Sequence, residues 1–272
     1  MNNPTILKLN DSRSIPQLGL GVWRVSDGEA SQTVQTAVKA GYRLIDTATA
    51  YQNERGIGDG VRAAGVPRED IFVTTKLWNG DHDAAETACE ASLKRLGLDY
   101  VDLYLIHWPS PAQNKFVQAW KSLIKLKEQG KAKSIGVSNF RVPDLERIIG
   151  ETGVTPVLNQ IELHPHWPQA ALREFHAKNN ILTEAWSPLG QGKLLDDPEL
   201  AKLGKKHGKT PAQIVLRWHM QNGVIAIPKS TNPGRIVENI AVFDFTLDAG
   251  DMAAIAALEQ RRGRIGPDPG SF

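Results

Sequence analysis

The chain has 272 residues, 41% of them hydrophobic and 23% charged, with 24 Gly and 16 Pro; this is a globular composition and excludes disordered and collagen-like chains. Its 32 Lys and Arg are interspersed with 30 Asp and Glu, and the net charge of +2 demands neither a nucleic-acid nor a membrane partner. The opening MNNPTILKLN has no basic or apolar leader region, no stretch approaches about 18 apolar residues, and the lone Cys89 has no partner for a disulfide. A cytoplasmic protein is the expectation.

In chain order, Ile6 to Leu9 and Ile15 to Leu18 flank the turn-rich Asn10 to Ser14 and predict a hairpin. Short β-branched runs then alternate with amphipathic stretches of 10 to 15 residues. The predicted strands are Gly19 to Trp23, Tyr42 to Thr47, Ile71 to Leu77, Val101 to Trp108, Lys133 to Asn139, Val157 to His164, Leu182 to Ser187 and Val224 to Ser230. Cys89 falls in the helical run Ala84 to Leu93. Thr210-Pro211-Ala212-Gln213 is a capping box with Pro at the first helical position, opening a helix that buries Ile214, Val215 and Trp218 and stops at Gly223. Arg235 to Val242 and Ala249 to Gln260 predict two closing helices.

Eight strand–helix units without a linker predict a single α/β domain over residues 1–272, a (β/α)8 barrel with an N-terminal hairpin and extra C-terminal helices. The competing doubly wound sheet requires G-x-G-x-x-G after its first strand. No such motif is present, and Gly56-Ile57-Gly58-Asp59-Gly60 has the wrong spacing and reads as a flexible helix start. Gly204 to Thr210 is one residue short of a phosphate loop between its glycines and reads as a helix end followed by a cap. Gly136-Val137-Ser138-Asn139-Phe140 lacks the final Gly of a nucleophile elbow. His164 and His166, without a third ligand nearby, read as a strand-end and a surface histidine, so no metal is expected.

In such a barrel the C-terminal strand ends form the active face. Asp46, Lys76 and His107 end the second, third and fourth predicted strands, and Tyr51 follows Asp46 in the next loop. Each alone is readily structural, but burying an Asp and a Lys costs several kcal/mol unless they pair. An ammonium about 4 Å from a phenolate, at an effective dielectric near 20, is worth roughly 4 kcal/mol. This is on the order of three pKa units before desolvation, so Lys76 is expected to bring Tyr51 towards neutrality as a proton donor. Asp46 would hold Lys76, and His107 would donate to a carbonyl oxygen.

The sequence resembles the aldo-keto reductases along essentially its whole length. The resemblance rests on Gly41-Tyr42-Arg43-Leu44-Ile45-Asp46-Thr47-Ala48, Asn53-Glu54, Thr75-Lys76-Leu77-Trp78, His107-Trp108-Pro109, Ile135 to Phe140, Asn159-Gln160-Ile161-Glu162 and Ile227-Pro228-Lys229-Ser230. It looks closest to the bacterial 2,5-diketo-D-gluconate reductases, through Lys76 to Asn79, Trp186 to Gly192 and Gly266 to Pro269. The resemblance implies a monomer that binds NADPH at the barrel mouth and reduces small carbonyl compounds, with Tyr51 as proton donor. It implies that Ser138, Asn139 and Gln160 meet the nicotinamide amide and that Trp186 stacks under the ring. Ser187, Leu189, Gly190, Gln191 and Gly192 would then close on the pyrophosphate. Lys229, Ser230 and Arg235 match contacts to the 2′-phosphate, and Glu238 and Asn239 those to adenine. Two cations and a hydroxyl suit that dianion. Asn232, Pro233 and Gly234 stand where some relatives carry further basic residues, which implies weaker cofactor selectivity. Trp23, Ala48, Trp78, Trp108 and Gln191 would line the substrate site, an apolar pocket suited to small aldehydes, 2-keto esters, diketones or keto sugars. Two other readings stay open: a regulatory subunit that retains NADPH, and a barrel lyase using Lys76 as a Schiff-base nucleophile.

Overall fold

The predicted β-branched runs become parallel strands in a computed structural model that describes residues 5–272. The hairpin pairs β1 (Ile6–Lys8) with β2 (Ser14–Pro16), and Ile15 faces Leu7. Then follow β3 (Leu20–Gly21), β4 (Leu44–Asp46), β5 (Phe72–Leu77), β6 (Val101–Ile106), β7 (Ala132–Ser138), β8 (Leu158–Glu162), β9 (Leu182–Trp186) and β10 (Ile225–Ala226). These eight pair in sequence order, all parallel. Parallel bridges from Leu18 to Ala226 and from Gly21 to Lys229 join the last strand to the first, closing a (β/α)8 barrel. Seven of the eight strands are shorter than predicted, most of all the last, while β7 keeps its predicted length and begins one residue earlier. Pro228 has no N–H to extend its ladder, and only its carbonyl is used, by Gly21 N at 3.1 Å.

The helices are α1 (Asp27–Ala40), α2 (Glu54–Ala63), α3 (Ala85–Leu96), α4 (Phe116–Glu128), α5 (Val142–Thr152), α6 (Ala170–Lys178), α7 (Pro198–His207), α8 (Pro211–Gln221), α9 (Pro233–Ile240) and α10 (Ala249–Ala256). The capping box opening α8 forms as predicted, Gln213 N donating to Thr210 Oγ1 at 3.3 Å and Thr210 N to Gln213 Oε1 at 3.0 Å. Gly208 ends α7 in the left-handed conformation, as a helix end followed by a cap requires.

Alternation along the strands divides the interior into two levels. Leu44, Leu103, Leu105, Leu158 and Ile225 fill the lower barrel, and Leu9 and Ile15 of the hairpin segment close its floor. Two residues further up β4, β8 and β9, the same inward parity presents Asp46, Gln160 and Glu184. The outward parity packs on the helices, as with Ile45, Val73, Tyr104 and Val137.

The glycine-rich run is the body of α2, which corrects the reading of a flexible helix start. A Cβ on Gly56 would meet Asp27 O of α1 at 2.1 Å, and one on Gly58 would meet Leu96 O of α3 at 1.7 Å. Glycine lets α2 approach both neighbours, and these are backbone atoms that cannot swing aside. Gly58→Ala is therefore expected to cost about 3 kcal/mol or more by overpacking, read as a lower urea midpoint with an unchanged slope. Asn53 and Glu54, part of the family-like pattern, fasten the same corner. Asn53 Nδ2 donates to the carbonyls of Val22 and Val25 at 2.9 and 3.0 Å, and Glu54 accepts from Thr75 and Arg95.

Candidate active site

Adjacent strand ends bring the predicted quartet together. Lys76 Nζ donates to Asp46 Oδ1 at 2.5 Å, to Thr47 O at 2.9 Å and, less closely, to Tyr51 Oη at 3.4 Å. Lys76 and Asp46 are buried to 0% and 1% exposure, so neither charge has water to stabilise it. Tyr51 ends a single 3-10 turn, Thr49–Tyr51, whose amide bonds back to Ala48 O at 3.0 Å. The ring of His107 lies 5.7 Å from that of Tyr51 and 5.4 Å from that of Trp78, edge to face in both cases.

Burial by itself would drive the proton off Lys76; the Asp46 carboxylate and then the Tyr51 phenol outweigh it and hold the ammonium above its ordinary pKa. An amine nucleophile requires the opposite shift, so the site does not favour the Schiff-base reading. Tyr51 departs from expectation. Desolvation outweighs Lys76, with Asp46 and Glu184 adding to it, so the phenol stays above its usual value rather than falling towards neutrality. It is a held proton rather than a pre-formed phenolate. His107 is pushed well below its usual range by burial and then by Lys76, and is a neutral imidazole. Its Nδ1 is buried without a partner among the described residues. A lone pair is less costly there than an orphaned N–H, which puts the proton on Nε2.

A hydrogen-bonded chain links this cluster to the residues matched to nicotinamide contacts. Gln160 Nε2 donates to Asp46 Oδ2 at 2.8 Å; Ser138 Oγ donates to Gln160 O at 2.8 Å. Asn139, in the left-handed region, donates to His107 O and to Ser138 Oγ, both at 3.0 Å, and accepts from Trp186 Nε1 at 2.8 Å. The next loop is built from left-handed residues: Ser187, Gly190, Gln191 and Gly192 all have positive φ. Two of them are not glycine, a local strain of the kind found at ligand-closing segments. Further round the mouth, Lys229 and Arg235 are exposed and neither takes part in an ion pair among the described residues. Ser230 is buried beside the start of α9, where Asn232 caps Arg235 N at 3.0 Å. Asn239 is buried and Glu238 is half-buried, with one carboxylate oxygen taken by Thr210 Oγ1 at 2.8 Å.

Trp78, Trp108 and Trp186 gather at the mouth, but Trp23 is 41% exposed and carries the Arg24 guanidinium on its ring. Ala48 is fully buried and holds the Tyr51 turn instead of offering pocket surface. Gln191 is exposed on the loop. Phe272, which sequence reasoning missed, sets its ring 4.5 Å from Trp108 and 6.5 Å from Trp78. No local signal marks it, because the tail reaches the mouth only through tertiary anchoring. That anchor is the Glu162 carboxylate, which accepts Ile265 N at 2.6 Å and Gly266 N at 2.8 Å. His164 Nε2 bonds the same carboxylate at 3.0 Å, and no group of His, Cys, Asp and Glu able to hold a metal occurs among the described residues.

A closed barrel carrying a paired ammonium, a protonated phenol and a neutral imidazole at its mouth defines an oxidoreductase of carbonyl groups. The profile of the Aldo/keto reductase family matches residues 17–260, and the chain belongs to that family. It is 53% identical over 274 aligned positions to methylglyoxal reductase DkgA of Salmonella typhimurium, covering 100% of this chain and 99% of that protein. It is 55% identical to an aldo-keto reductase of Mycolicibacterium smegmatis, covering 98% and 97%. Among solved structures, a point mutant of Gox0644 in complex with NADPH superposes with a TM-score of 0.96 at 50% identity, covering 100% and 99%. An aldo/keto reductase from Brucella melitensis gives 0.92 at 57% identity, covering 94% and 100%.

Proposed function

We propose that this chain, as one domain over residues 1–272, reduces small aldehydes and ketones with NADPH as the hydride donor and Tyr51 as the proton donor. Methylglyoxal-like dicarbonyls, 2-keto esters and keto sugars such as 2,5-diketo-D-gluconate are the substrate class. The observation that carries this reading is the buried Lys76–Asp46 pair set beneath a protonated Tyr51 and a neutral His107. When bound, NADPH supplies a hydride to the carbonyl carbon.

The residues present fit that cofactor. Gln160 turns its amide nitrogen to Asp46 and leaves its carbonyl oxygen without a partner among the described residues, free to accept from a carboxamide. Ser138, Asn139 and Trp186 adjoin it; Ser187 to Gly192 would cover a pyrophosphate. Lys229, Ser230 and Arg235 would take the 2′-phosphate, with Glu238 and Asn239 at the adenine. His107 Nε2–H orients the carbonyl oxygen, Tyr51 releases its proton to the oxygen as negative charge develops, and Lys76 stabilises the phenolate left behind. Trp78, Trp108 and Phe272 supply an apolar wall that favours small substrates with few polar anchors.

The chain is read as a cytoplasmic monomer acting on small molecules. Its one thiol, Cys89, is buried in α3 and pushed up by desolvation to about 12, which keeps it unreactive. No helix among the described residues is long and apolar enough to cross a membrane.

The test is NADPH consumption against methylglyoxal, a 2,5-diketo sugar acid, a 2-keto ester and an aromatic aldehyde, with NADH in parallel. Turnover on none of them would refute the reading. Arg235→Ala is expected to raise KM for NADPH about tenfold or more, as a lost charge-assisted contact does, with KM for NADH unchanged. Equal effects on both cofactors would remove Arg235 from the 2′-phosphate site.

A further inference from the structure

One buried carboxyl beneath the mouth has no part in the proton and hydride transfers proposed for the site. Glu184 lies in the middle of β9, two residues before Trp186 and on the same inward face. In the parallel ladder it stands opposite Gln160 of β8 and Ile225 of β10. It is 0% exposed; Oε2 accepts from Gln160 Nε2 at 3.1 Å, and Oε1 has no partner among the described residues. No cation among the described residues bonds it directly.

The same Gln160 nitrogen donates to Asp46 Oδ2 at 2.8 Å. A side-chain amide has two N–H protons and one carbonyl oxygen. With both protons committed to the two acids, the amide cannot flip, and its oxygen is left free to accept a bond.

Resting on the reductase reading above, we propose that Glu184 is a positioning residue that acts as the neutral acid. With Asp46 it clamps the Gln160 amide for the cofactor's carboxamide, and its deprotonation limits the reaction on the alkaline side.

The surroundings favour the neutral form. Of the titratable groups, Asp46 on β4, Lys76 on β5 and Tyr51 in the turn after β4 act on it or are acted on by it, while β8 and β10 present Gln160 and Ile225. Desolvation first, and then the Asp46 charge, push its carboxyl up to about 8, against the smaller opposing effects of Gln160 and Lys76. Loss of that proton to solvent leaves a second buried negative charge beside Asp46. Such a charge raises the pKa of Tyr51 further and makes it a poorer proton donor.

The experiment compares wild type, Glu184→Gln and Glu184→Ala in three readouts: the pH profile of kcat for carbonyl reduction, NADPH affinity from quenching of tryptophan fluorescence, and melting temperature against pH. Glu184→Gln keeps the acceptor for Gln160 and cannot ionise. It should hold NADPH affinity within about threefold and carry its alkaline limb at least about one pH unit above that of wild type, whereas Glu184→Ala should weaken NADPH about tenfold through the freed amide. For melting, the sign follows from the raised folded-state pKa. The stabilisation is complete below the unfolded carboxyl value near 4.5 and is lost as pH rises through about 8. Wild type should therefore lose more melting temperature than Glu184→Gln between about pH 5 and pH 9.

Coincident alkaline limbs in wild type and Glu184→Gln would overturn the proposal. Loss of NADPH affinity in Glu184→Gln as large as in Glu184→Ala would do the same. A wild type that neither binds NADPH nor reduces any carbonyl would refute the reductase reading and the positioning role with it. The melting comparison reports separately whether Glu184 holds its proton.

Discussion

Tyr51→Phe is expected to lower kcat for carbonyl reduction by about 10²- to 10⁴-fold, the usual contribution of a positioned general acid, while NADPH affinity changes by less than about twofold. The asymmetry follows from the geometry. The phenol oxygen is the one group near the reacting carbonyl that combines a held proton with a cation placed to stabilise the resulting anion. None of the groups matched to cofactor contacts bonds to it; Ser138, Asn139, Gln160 and Trp186 are instead bonded among themselves. Because Tyr51 sits above its ordinary pKa, its own ionisation should not set the neutral-pH profile in the reduction direction. A Tyr51→Phe protein with near wild-type kcat would transfer the proton-donor role elsewhere, with His107 next in line. Stopped assays with NADPH fluorescence titration on the same protein separate the two readouts.

Lys76→Met is expected to be the more damaging change, because it affects both fold and chemistry. It leaves Asp46 buried with only Gln160 as a partner, and removing one member of a buried pair costs about 3–5 kcal/mol. Activity should fall at least as far as in Tyr51→Phe, since the phenolate formed in the transition state loses its cation. The stability loss has a definite pH dependence. Burial already lifts the Asp46 carboxyl above its ordinary range, with Lys76 and Gln160 opposing. Without Lys76 it rises further, so the variant regains part of its stability as the pH falls and Asp46 takes a proton. Urea unfolding at several pH values should show the gap to wild type widening from acid to neutral. The double variant Asp46→Asn, Lys76→Met should recover most of the stability and none of the activity, a coupling that a double-mutant cycle measures. An equal loss at all pH values would show that the missing packing of the lysine stem, and not the abandoned charge, dominates.

Trp186 connects the two halves of the site. Its indole N–H is tied to Asn139, and a Cβ on Gly266 would lie 2.4 Å from its ring, so the tail backbone packs directly against it. The Glu162 anchor thus fixes the ring matched to the nicotinamide and the segment that brings Phe272 to Trp108. In the proposed site the cofactor and substrate walls would share one support, so substitutions in the tail are expected to alter cofactor affinity as well.

Much of this was legible in the chain because the signals were local. Strand–helix alternation, the Thr210 capping box and the glycine ending α8 depend on residues a few positions apart, and the barrel followed from counting units. Asp46, Lys76 and His107 could be placed together because each ends a strand and neighbouring strands of a barrel are adjacent at their ends. Glu184 had a signal that went unread: it shares the parity of Trp186, two residues away on the same strand. Three features depended on tertiary structure. The direction of the Tyr51 shift required knowing how completely the phenol is buried, since desolvation and the Lys76 charge oppose each other and only geometry sets their balance. The glycines of α2 looked like a flexible segment because nothing in the sequence says that Asp27 O and Leu96 O lie against their Cα atoms. Phe272 reaches the mouth through bonds from Glu162 to residues 103 and 104 positions away. Periodicity in a sequence reports which face of an element is buried. It carries no information about the distance between two groups that only the closed barrel brings together.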